Sequence, residues 1–568
     1  MMTVTRILCV FGALCGLAVN GFSLDREAFT FTNYDLNVRL EPEQQRLSAR
    51  GKITLRNDSS APQKNLSLQI SSTLGWRSIQ FEGKPVQFVS QPYASDIDHT
   101  GALSEAIVTL PREVPPKTSI DLTVGYEGVI ALDTARLARI GMSDEMAKHS
   151  DWDQISPAFT AVRGVGYVAW YPVAMESANL SEANSVEETV ARWRLRHAET
   201  TMSLLFQSTL SQPIFFSGAA AKAASTADET ASSKAAFNVA RLGVDVPTFV
   251  TGNYQSLGSN DLVAVEYLPG QEEGARVFAD AAAQIDPSIP IAHGPAHLQI
   301  LGLPDRDAAS FVSAGMLLCP LKPTLTNDAV LNIVYAKARN MAVSPRAWIQ
   351  DGLARYAQVH YIEQNSGRQA ALDYLEAHRQ LLVDSASRNS QNVSGKNGMA
   401  QPLVNAPDDL LLQTKAMFVW WMLRDMLGEN RDAFFSYSAS DDKDPAYMQH
   451  VLEKQSHRDL QWFFDDWVYH DPGLPELRVE SVYPRQLSGS GYIVTITIEN
   501  VGKAGAEVPL VLRIQGGEVT SRLVVPANSK KSIRIEAAAA PTEVVVNDGS
   551  VPESNTHNNV YKIEALNH

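Results

Sequence analysis

Histidines are the first residues to consider, because two imidazoles on one helix face can bind a metal ion. His293 and His297 are four residues apart, which is the spacing of two such ligands on a helix. However, Gly294-Pro295 between them favours a turn that leads into a strand, and neither histidine has a glutamate beside it to act as a base. The sequence therefore does not predict a metal site at this pair.

A second candidate for chemistry is the stretch from Val334 to Gln358. Its pattern predicts two helices joined by a short loop that contains Ser344-Pro345. A hydrolytic metal site of this form takes two histidines and a glutamate base from the first helix and a carboxylate from the second. Asp351 supplies a carboxylate, but the chain has no histidine between His297 and His360. The stretch has the form of such a site without its ligands.

Length and composition indicate a globular protein of several domains. The 568 residues exceed the usual size of one domain, and 45% of them are hydrophobic. A net charge of −15 without a basic stretch argues against nucleic-acid binding. Cys9 and Cys15 lie in the N-terminal apolar run, so Cys319 stands alone in the rest of the chain. We therefore expect neither an intramolecular disulfide nor a thiolate zinc site.

The N-terminus has the pattern of a secretory signal. Arg6 precedes an apolar run from Ile7 to Val19 that is too short to span a bilayer comfortably, and small residues follow it. Residues 1–23 are thus predicted to be a signal peptide, and the protein is predicted to be exported to the periplasm or the medium. No integral membrane segment is expected in the mature chain.

The remaining chain divides into three parts by its hydrophobic pattern, and the fold class predicted is multidomain α+β. Residues 24–250 alternate apolar and polar residues in short strands, which predicts a β domain similar to a sandwich. Residues 251–475 begin with strands and continue with apolar residues at helical spacing, which predicts a mainly helical domain. Residues 476–568 alternate again, which predicts an Ig-like β-sandwich. Their ending, DGSVPESNTHNN, resembles that of bacterial CARDB-type modules.

The order of these parts resembles that of the aminopeptidase-N-type zinc metallopeptidases, peptidase family M1. The segments that carry the resemblance are YDLNVRLEPEQQRLSARGKITLRN, LGLPDRDAASFVSAGMLLCP, SPRAWIQDGLARYAQ, QTKAMFVWWMLRDMLG and RDLQWFFDDWVYHDPGLPELRV. They are similar to the family's first hairpin, its substrate-edge strand, its second zinc helix, its Tyr-x-Lys-Gly-Ala helix and the end of its catalytic domain. The resemblance implies an N-terminal β domain followed by a thermolysin-like helical domain.

The positions that the resemblance assigns to catalysis hold unsuitable residues. With the alignment fixed on Ser344-Pro345, the first-helix positions fall on Tyr335, Ala336 and Arg339, and the third ligand falls on Asp351. Alanine has no ligand atom, and arginine is permanently protonated and repels a cation. A register with the family's usual loop length gives Asp328, Ala329 and Asn332, which also lack both histidines and the base.

Two further positions are changed in the same way. The family's oxyanion tyrosine falls on Gln413, although Lys415 of the same motif is present, and its amine-binding acid falls near Leu317. We therefore predict a degenerate site with no bound metal and no cofactor. Zinc is expected only if the ligands are non-standard.

Two of these positions carry opposite charges. We predict that Arg339 and Asp351 form an ion pair, which would join the two helices that zinc joins in the family. Together with Tyr335, Trp348 and Lys415 they are the predicted lining of a cleft. An aromatic, partly polar cleft could bind an extended peptide without cleaving it.

The predicted function is that of an exported, catalytically silent peptidase-like protein that binds a peptide or protein, or acts as a scaffold. One alternative is an active metallo-aminopeptidase with unusual ligands, which would require at least three His, Asp or Glu side chains converging in the cleft. A second alternative is a structural envelope protein, which would have no cleft of ligand size.

Overall fold

The computed structural model describes residues 24–563, apart from 183–184, 219–221, 224–231, 244, 260–261, 288, 290–296, 393–401, 407–408, 429–435 and 489–490. The predicted signal sequence, residues 1–23, and His293 of the candidate histidine pair lie outside the described residues. The signal peptide and the reading of the histidine pair therefore stay predictions.

The first part of the chain forms three sheets. The largest has eight strands, in the spatial order Lys222–Ala223, Ser233–Val239, Thr201–Ser208, Phe29–Glu41, Arg46–Asn57, Ser119–Val129, Leu74–Phe81 and Lys84–Pro85. The second has the order Gln63–Ser71, Ala102–Val114 and Gln87–Ala94. The third has the order Ile214–Phe216, Phe249–Gly252 and Phe159–Val162.

Residue alternation explains the first hairpin. Tyr34, Leu36, Val38 and Leu40 are buried, whereas the residues between them are exposed, as expected for a strand with one face on the core. The turn ends at Gln45, whose positive φ of 54° lets the chain reverse into Arg46–Asn57. The hairpin predicted from the sequence is therefore confirmed.

A five-stranded sheet begins the next part of the chain. Its spatial order is Gln255–Ser259, Val263–Tyr267, Leu298–Gly302, Met316–Cys319 and Phe311–Ser313. The three central strands run parallel to one another, and the two outer strands are antiparallel to their neighbours. The strand Phe311–Ser313 thus lies at the edge of this sheet.

Helices make up most of the region that follows, and four further α-helices lie earlier in the described chain. In the described residues the helices are α1 Ala135–Arg139, α2 Asp144–Ser150, α3 Ser185–Arg196, α4 Glu272–Gln284, α5 Asn327–Met341, α6 Ala347–Ser366, α7 Arg368–Asn392, α8 Asp409–Leu427, α9 Tyr447–Ser456 and α10 Gln461–Phe464. None of them is both long and apolar enough to cross a lipid bilayer. Helix α6 packs between α5 and α8 and is buried along most of its length.

Two sheets follow the helices. One has the order Leu477–Gln486, Tyr492–Asn500 and Ser529–Ala537, and the other has the order Gly517–Val525, Ala506–Ile514, Pro541–Val546 and Val560–Lys562. Their apolar faces belong to the same continuous hydrophobic core as the helices before them. The Trp467 Nε1 donates to the Gly505 carbonyl at 2.9 Å, and the Arg368 guanidinium donates to the Asp548 carboxylate at 3.0 Å. This β region is therefore packed firmly against the helical region.

Candidate functional site

Helices α5 and α6 position the candidate site, and the loop between them is tightly held. Helix α5 begins after Thr326, whose hydroxyl accepts from the Ala329 amide at 3.2 Å. In the loop, the Ser344 hydroxyl contacts the Tyr437 hydroxyl at 2.8 Å, and Arg346 pairs with buried Asp442 at 2.6 Å. These contacts fix the position of one helix relative to the other.

Arg339 of α5 and Asp351 of α6 form the predicted ion pair. The Arg339 Nε donates to the Asp351 Oδ1 at 2.6 Å, and both residues are buried, with 7% and 6% of their surfaces exposed. Burial alone would lower the pKa of Arg339, but the carboxylates of Asp245 and Asp351 raise this pKa well above its ordinary value. The prediction that a guanidinium joins the two helices is confirmed.

Asp245 is a third member of this cluster and was not predicted from the sequence. The Arg339 Nη1 donates to its Oδ1, and the same oxygen accepts from the Ala314 amide at 3.0 Å. Ala314 lies in the turn before the strand Met316–Cys319 and has a positive φ of 40°. Asp245 therefore joins the turn at the sheet edge to α5. No local motif marks it, because it lies 94 residues from Arg339 along the chain.

A cavity of about 270 Å³ lies beside this cluster. Its wall includes Arg339, Asp351, Tyr335, Gln413 and Arg355. Tyr335 and Gln413 were assigned to the site from the sequence, and they do line the cavity. The predicted alternative of a structural protein with no cleft of ligand size is therefore not supported by the described part of the chain.

Arg355 also lines the cavity and was not predicted. Its Nε donates to the Gln413 Oε1 at 2.9 Å, and its Nη1 donates to the Gln358 Oε1 at 3.2 Å. Its guanidinium carbon lies 4.7 Å from the centre of the Tyr335 ring, within the range of a cation–π contact. Gln413, the position to which the sequence resemblance assigns an oxyanion tyrosine, thus accepts a hydrogen bond from an arginine.

Two further cavities adjoin the first, and each shares different wall residues with it. One, of about 210 Å³, shares Arg339 and Asp245 with it, and the other, of about 240 Å³, shares Asn332 and Ser310. The central cavity is also bordered by the edge strand Phe311–Ser313. We call these three adjoining cavities the groove.

Several predicted site residues lie away from the groove. Trp348 is buried and stacks on Trp420, with ring centres 5.5 Å apart, so the prediction that it lines the cleft is wrong. Lys415 is also buried, and its Nζ donates to the Asp471 carboxylate at 2.8 Å. It lines none of the three cavities.

Two positions inferred from the resemblance belong to the hydrophobic core. Leu317 is fully buried in the five-stranded sheet, and Ala336 is fully buried on α5. Both side chains pack against apolar neighbours, so neither can contact a ligand in the groove. Helical or strand spacing identified the element in each case, but it did not identify the face.

The residues of the central cavity do not fit a zinc ion. Zinc sites in proteins use three or four Cys, His, Asp or Glu side chains. Here Arg339 contacts both carboxylates at this point, Asp245 and Asp351, so a cation bound by them would lie beside a permanent positive charge. No histidine is among the described residues that line this cavity.

Another group of possible metal ligands lies outside the central cavity. His149, Asp305 and Asp307 each offer a ligand atom, and these atoms lie within 4.8 Å of one another. The His149 Nδ1 already contacts the Asp305 Oδ2 at 2.5 Å, and Asp307 pairs with Lys322 at 3.2 Å. The hydrogen bond to Asp305 raises the pKa of His149 above its ordinary value, against a smaller opposite effect of burial. The geometry is that of an exposed ion-pair cluster.

Comparison with known proteins finds similarity at the level of structure. No protein-family profile matches the chain, and no curated protein matches it by sequence. A mutant M1 zinc metallopeptidase from Deinococcus radiodurans bound to a Tyr-Ser-Ala substrate is 14% identical, with a TM-score of 0.47, over 79% of this chain and 95% of that chain. A two-domain M1 zinc metallopeptidase mutant bound to L-arginine is 15% identical, with a TM-score of 0.45, over the same shares of the two chains.

This comparison corrects one prediction. The expectation of no cofactor is contradicted, because the similar solved structures are zinc metallopeptidases. The likeness concerns the fold and leaves activity open at this level of identity. The described residues that line the central cavity do not form a set of zinc ligands.

Proposed function

We propose that this protein binds extended peptide or protein segments in the groove and does not hydrolyse them. The observation that carries the proposal is the position of Arg339. Its guanidinium contacts Asp245 and Asp351, and the sequence resemblance assigns metal ligands to the positions of Arg339 and Asp351. The ion pairs keep both carboxylates occupied with a cation that cannot activate water.

The shape of the groove supports a peptide as the ligand. Three adjoining cavities of about 240, 270 and 210 Å³ share wall residues, and together they suit an extended chain better than a compact small molecule. The strand Phe311–Ser313 lies at the edge of its sheet beside the central cavity. A peptide can add to such an edge through main-chain hydrogen bonds while pockets take alternate side chains.

The groups around the same cavity support the proposed absence of hydrolysis. Neither Ala336 nor Arg339 can act as a general base, and the Gln413 oxygen accepts a hydrogen bond from Arg355. Losing one oxyanion donor alone typically costs a factor of about 10²–10³ in rate. The positions that the resemblance assigns to the base and to the oxyanion tyrosine therefore hold residues that do not perform those roles.

Export and the finer domain assignments form part of the same proposal. Residues 1–23 would act as a signal peptide, residues 24–250 and 251–475 as the M1-like pair of domains, and residues 476–568 as an Ig-like sandwich. Their support is the sequence pattern and the arrangement of the sheets. Mass spectrometry of the intact protein recovered from outside the cytoplasm would test the export.

To test binding, the purified protein is incubated with a mixture of random hexapeptides, and the peptides that stay bound are identified by mass spectrometry. The matched variants are Ser310→Trp, at an exposed serine shared by two cavities, and Ser440→Trp, at an exposed serine outside the groove. We expect enrichment with the wild type and Ser440→Trp, and its loss with Ser310→Trp. Equal enrichment by all three proteins would contradict a binding role for the groove.

The test of hydrolysis uses aminoacyl 4-nitroanilides and unblocked peptides with the same preparations. We expect no release of nitroaniline or free amino acids above a heat-inactivated control. Turnover that follows the protein through successive columns and disappears in a variant of the groove would overturn the proposal of a silent site.

A further inference from the structure

We propose that Arg355 is the specificity-determining residue of the groove and binds a carboxylate of the peptide. This inference rests on the proposed peptide-binding function and adds the chemical class of the ligand. Its starting point is the difference between the two arginines of α5 and α6 that line the central cavity, Arg339 and Arg355.

The two guanidinium groups have different partners. Arg339 is buried and contacts two carboxylates, so its charge is neutralised within the protein. Arg355 is only partly buried and donates to two neutral side-chain amides, Gln413 and Gln358. In the described part of the chain no carboxylate oxygen lies within 4.0 Å of the Arg355 nitrogens. Its positive charge therefore faces the cavity without an opposite charge beside it.

The surroundings of Arg355 hold it in a defined orientation. Gln413 of α8 and Gln358 of α6 accept from different nitrogens of the guanidinium, and the Tyr335 ring of α5 lies against it at 4.7 Å. A guanidinium that is oriented before binding loses little side-chain freedom when a ligand arrives. The remaining N–H groups match the geometry of a carboxylate, which accepts two parallel hydrogen bonds from arginine.

The neighbouring cavity offers a place for an apolar side chain of the same peptide. The 210 Å³ cavity, whose wall also includes the Arg339–Asp245 pair, is lined in addition by Leu242, Pro247 and Val343. A peptide that places a carboxylate at Arg355 would therefore lay a nearby apolar side chain into this second cavity. The inferred ligand is a peptide that has an acidic group close to an apolar residue.

The carboxylate can belong to an acidic side chain or to the C-terminus of the peptide, and three probes distinguish these sources. They are acetyl-Leu-Ala-Glu-Ala-Leu-amide, the same peptide with Gln in place of Glu, and acetyl-Leu-Ala-Gln-Ala-Leu with a free C-terminal carboxylate. Leucines on both sides make the outcome independent of the direction in which the peptide lies. Binding to the full-length protein is measured by isothermal titration calorimetry.

We expect the wild type to bind one of the two carboxylate probes at least roughly tenfold more tightly than the neutral amide, which is the scale of a charge-assisted hydrogen bond. A preference for the Glu peptide assigns the carboxylate to a side chain, and a preference for the free acid assigns it to the C-terminus. Arg355→Gln should abolish the preference, so that the three probes bind this variant with similar affinity. Arg276→Gln, at an exposed arginine of α4 outside the three cavities, should retain it.

The outcomes separate the two proposals. Equal affinity of the wild type for all three probes would overturn the role of Arg355 and leave peptide binding intact. Failure of all three probes to bind, together with no enrichment from the hexapeptide mixture, would overturn both. If Arg355→Gln fails to fold by circular dichroism, Arg355→Lys provides the test. It keeps the charge but not the two parallel hydrogen bonds, so it should retain only part of the preference.

Discussion

Replacing Arg339 by methionine tests whether the ion-pair cluster now stabilises the fold. The variant leaves Asp351, with 9% of its side chain exposed, and Asp245, with 23% exposed, without their guanidinium partner. Removing one member of a buried ion pair typically costs about 3–5 kcal/mol. Because Asp245 keeps some contact with water and its hydrogen bond from Ala314, we expect a loss near the lower end, about 3 kcal/mol.

The double variant Arg339→Met/Asp351→Leu separates the charge from the packing. It removes the uncompensated carboxylate at Asp351, so it should recover part of the stability that Arg339→Met loses. The control is Lys52→Met, because Lys52 and Asp121 form a pair at 3.3 Å in which both side chains are about half exposed. That change should cost less than about 1 kcal/mol.

The assay is hydrogen exchange of the α5 and α6 amides under native conditions, read by mass spectrometry. It reports the free energy of local opening and does not require the whole chain to unfold in one step. Tryptophan fluorescence gives a second reading, since Trp348 and Trp420 stack against each other where α6 meets α8. If Arg339→Met costs no more than Lys52→Met, or if the double variant is no more stable than Arg339→Met, the reasoning is refuted.

Two further predictions concern stability away from the groove. Burial raises the pKa of Glu553 to about 7 against its hydrogen bonds, from an ordinary 4.5. The proton is therefore held more tightly in the folded state, and the stability that it contributes below pH 4.5 is lost as the pH rises through 7. The free energy of unfolding of Glu553→Gln, measured with urea, should rise by about 3 kcal/mol relative to that of the wild type as the pH goes from 4.5 to above 7. If the unfolding free energies of the two proteins changed in parallel with pH, this prediction would be contradicted. Gly352→Ala should lower the free energy of unfolding by about 1–3 kcal/mol in the same assay, because the added Cβ would lie 2.5 Å from that of Ala416. An unchanged urea midpoint would mean that α6 and α8 can move apart to accept the methyl group.

The sequence predicted the elements of the site better than the faces that they present. The stretch around α5 and α6 predicted two helices and a short loop. The pairing of Arg339 with Asp351 was predicted from their opposite charges at two positions that the resemblance assigns to metal ligands. Trp348 was placed wrongly for a physical reason. Helix α6 is buried on several sides, so helical spacing alone cannot distinguish the side that faces the cavity from the side that faces α8.

Long-range partners were beyond the reach of the sequence. Asp245 meets Arg339 only because the N-terminal β region folds back on the helical region, and a single carboxylate in a strand-rich stretch carries no signal of that contact. Lys415 is the reverse case. Its motif suggested a site residue, but the fold brings Asp471 to it and removes its charge from the groove.

The interface between the helices and the last two sheets determines whether the C-terminal β region can be replaced by another domain. A β-sandwich that is joined to its neighbour only by a flexible linker can be exchanged for another, because it has no interface to preserve. Here a replacement would need carboxylates opposite Arg368 and Arg458, a carbonyl opposite Trp467, and an apolar face continuous with the helices. The last two sheets therefore bury part of the helical region. A replacement domain without those groups would leave apolar side chains of the helices exposed to water.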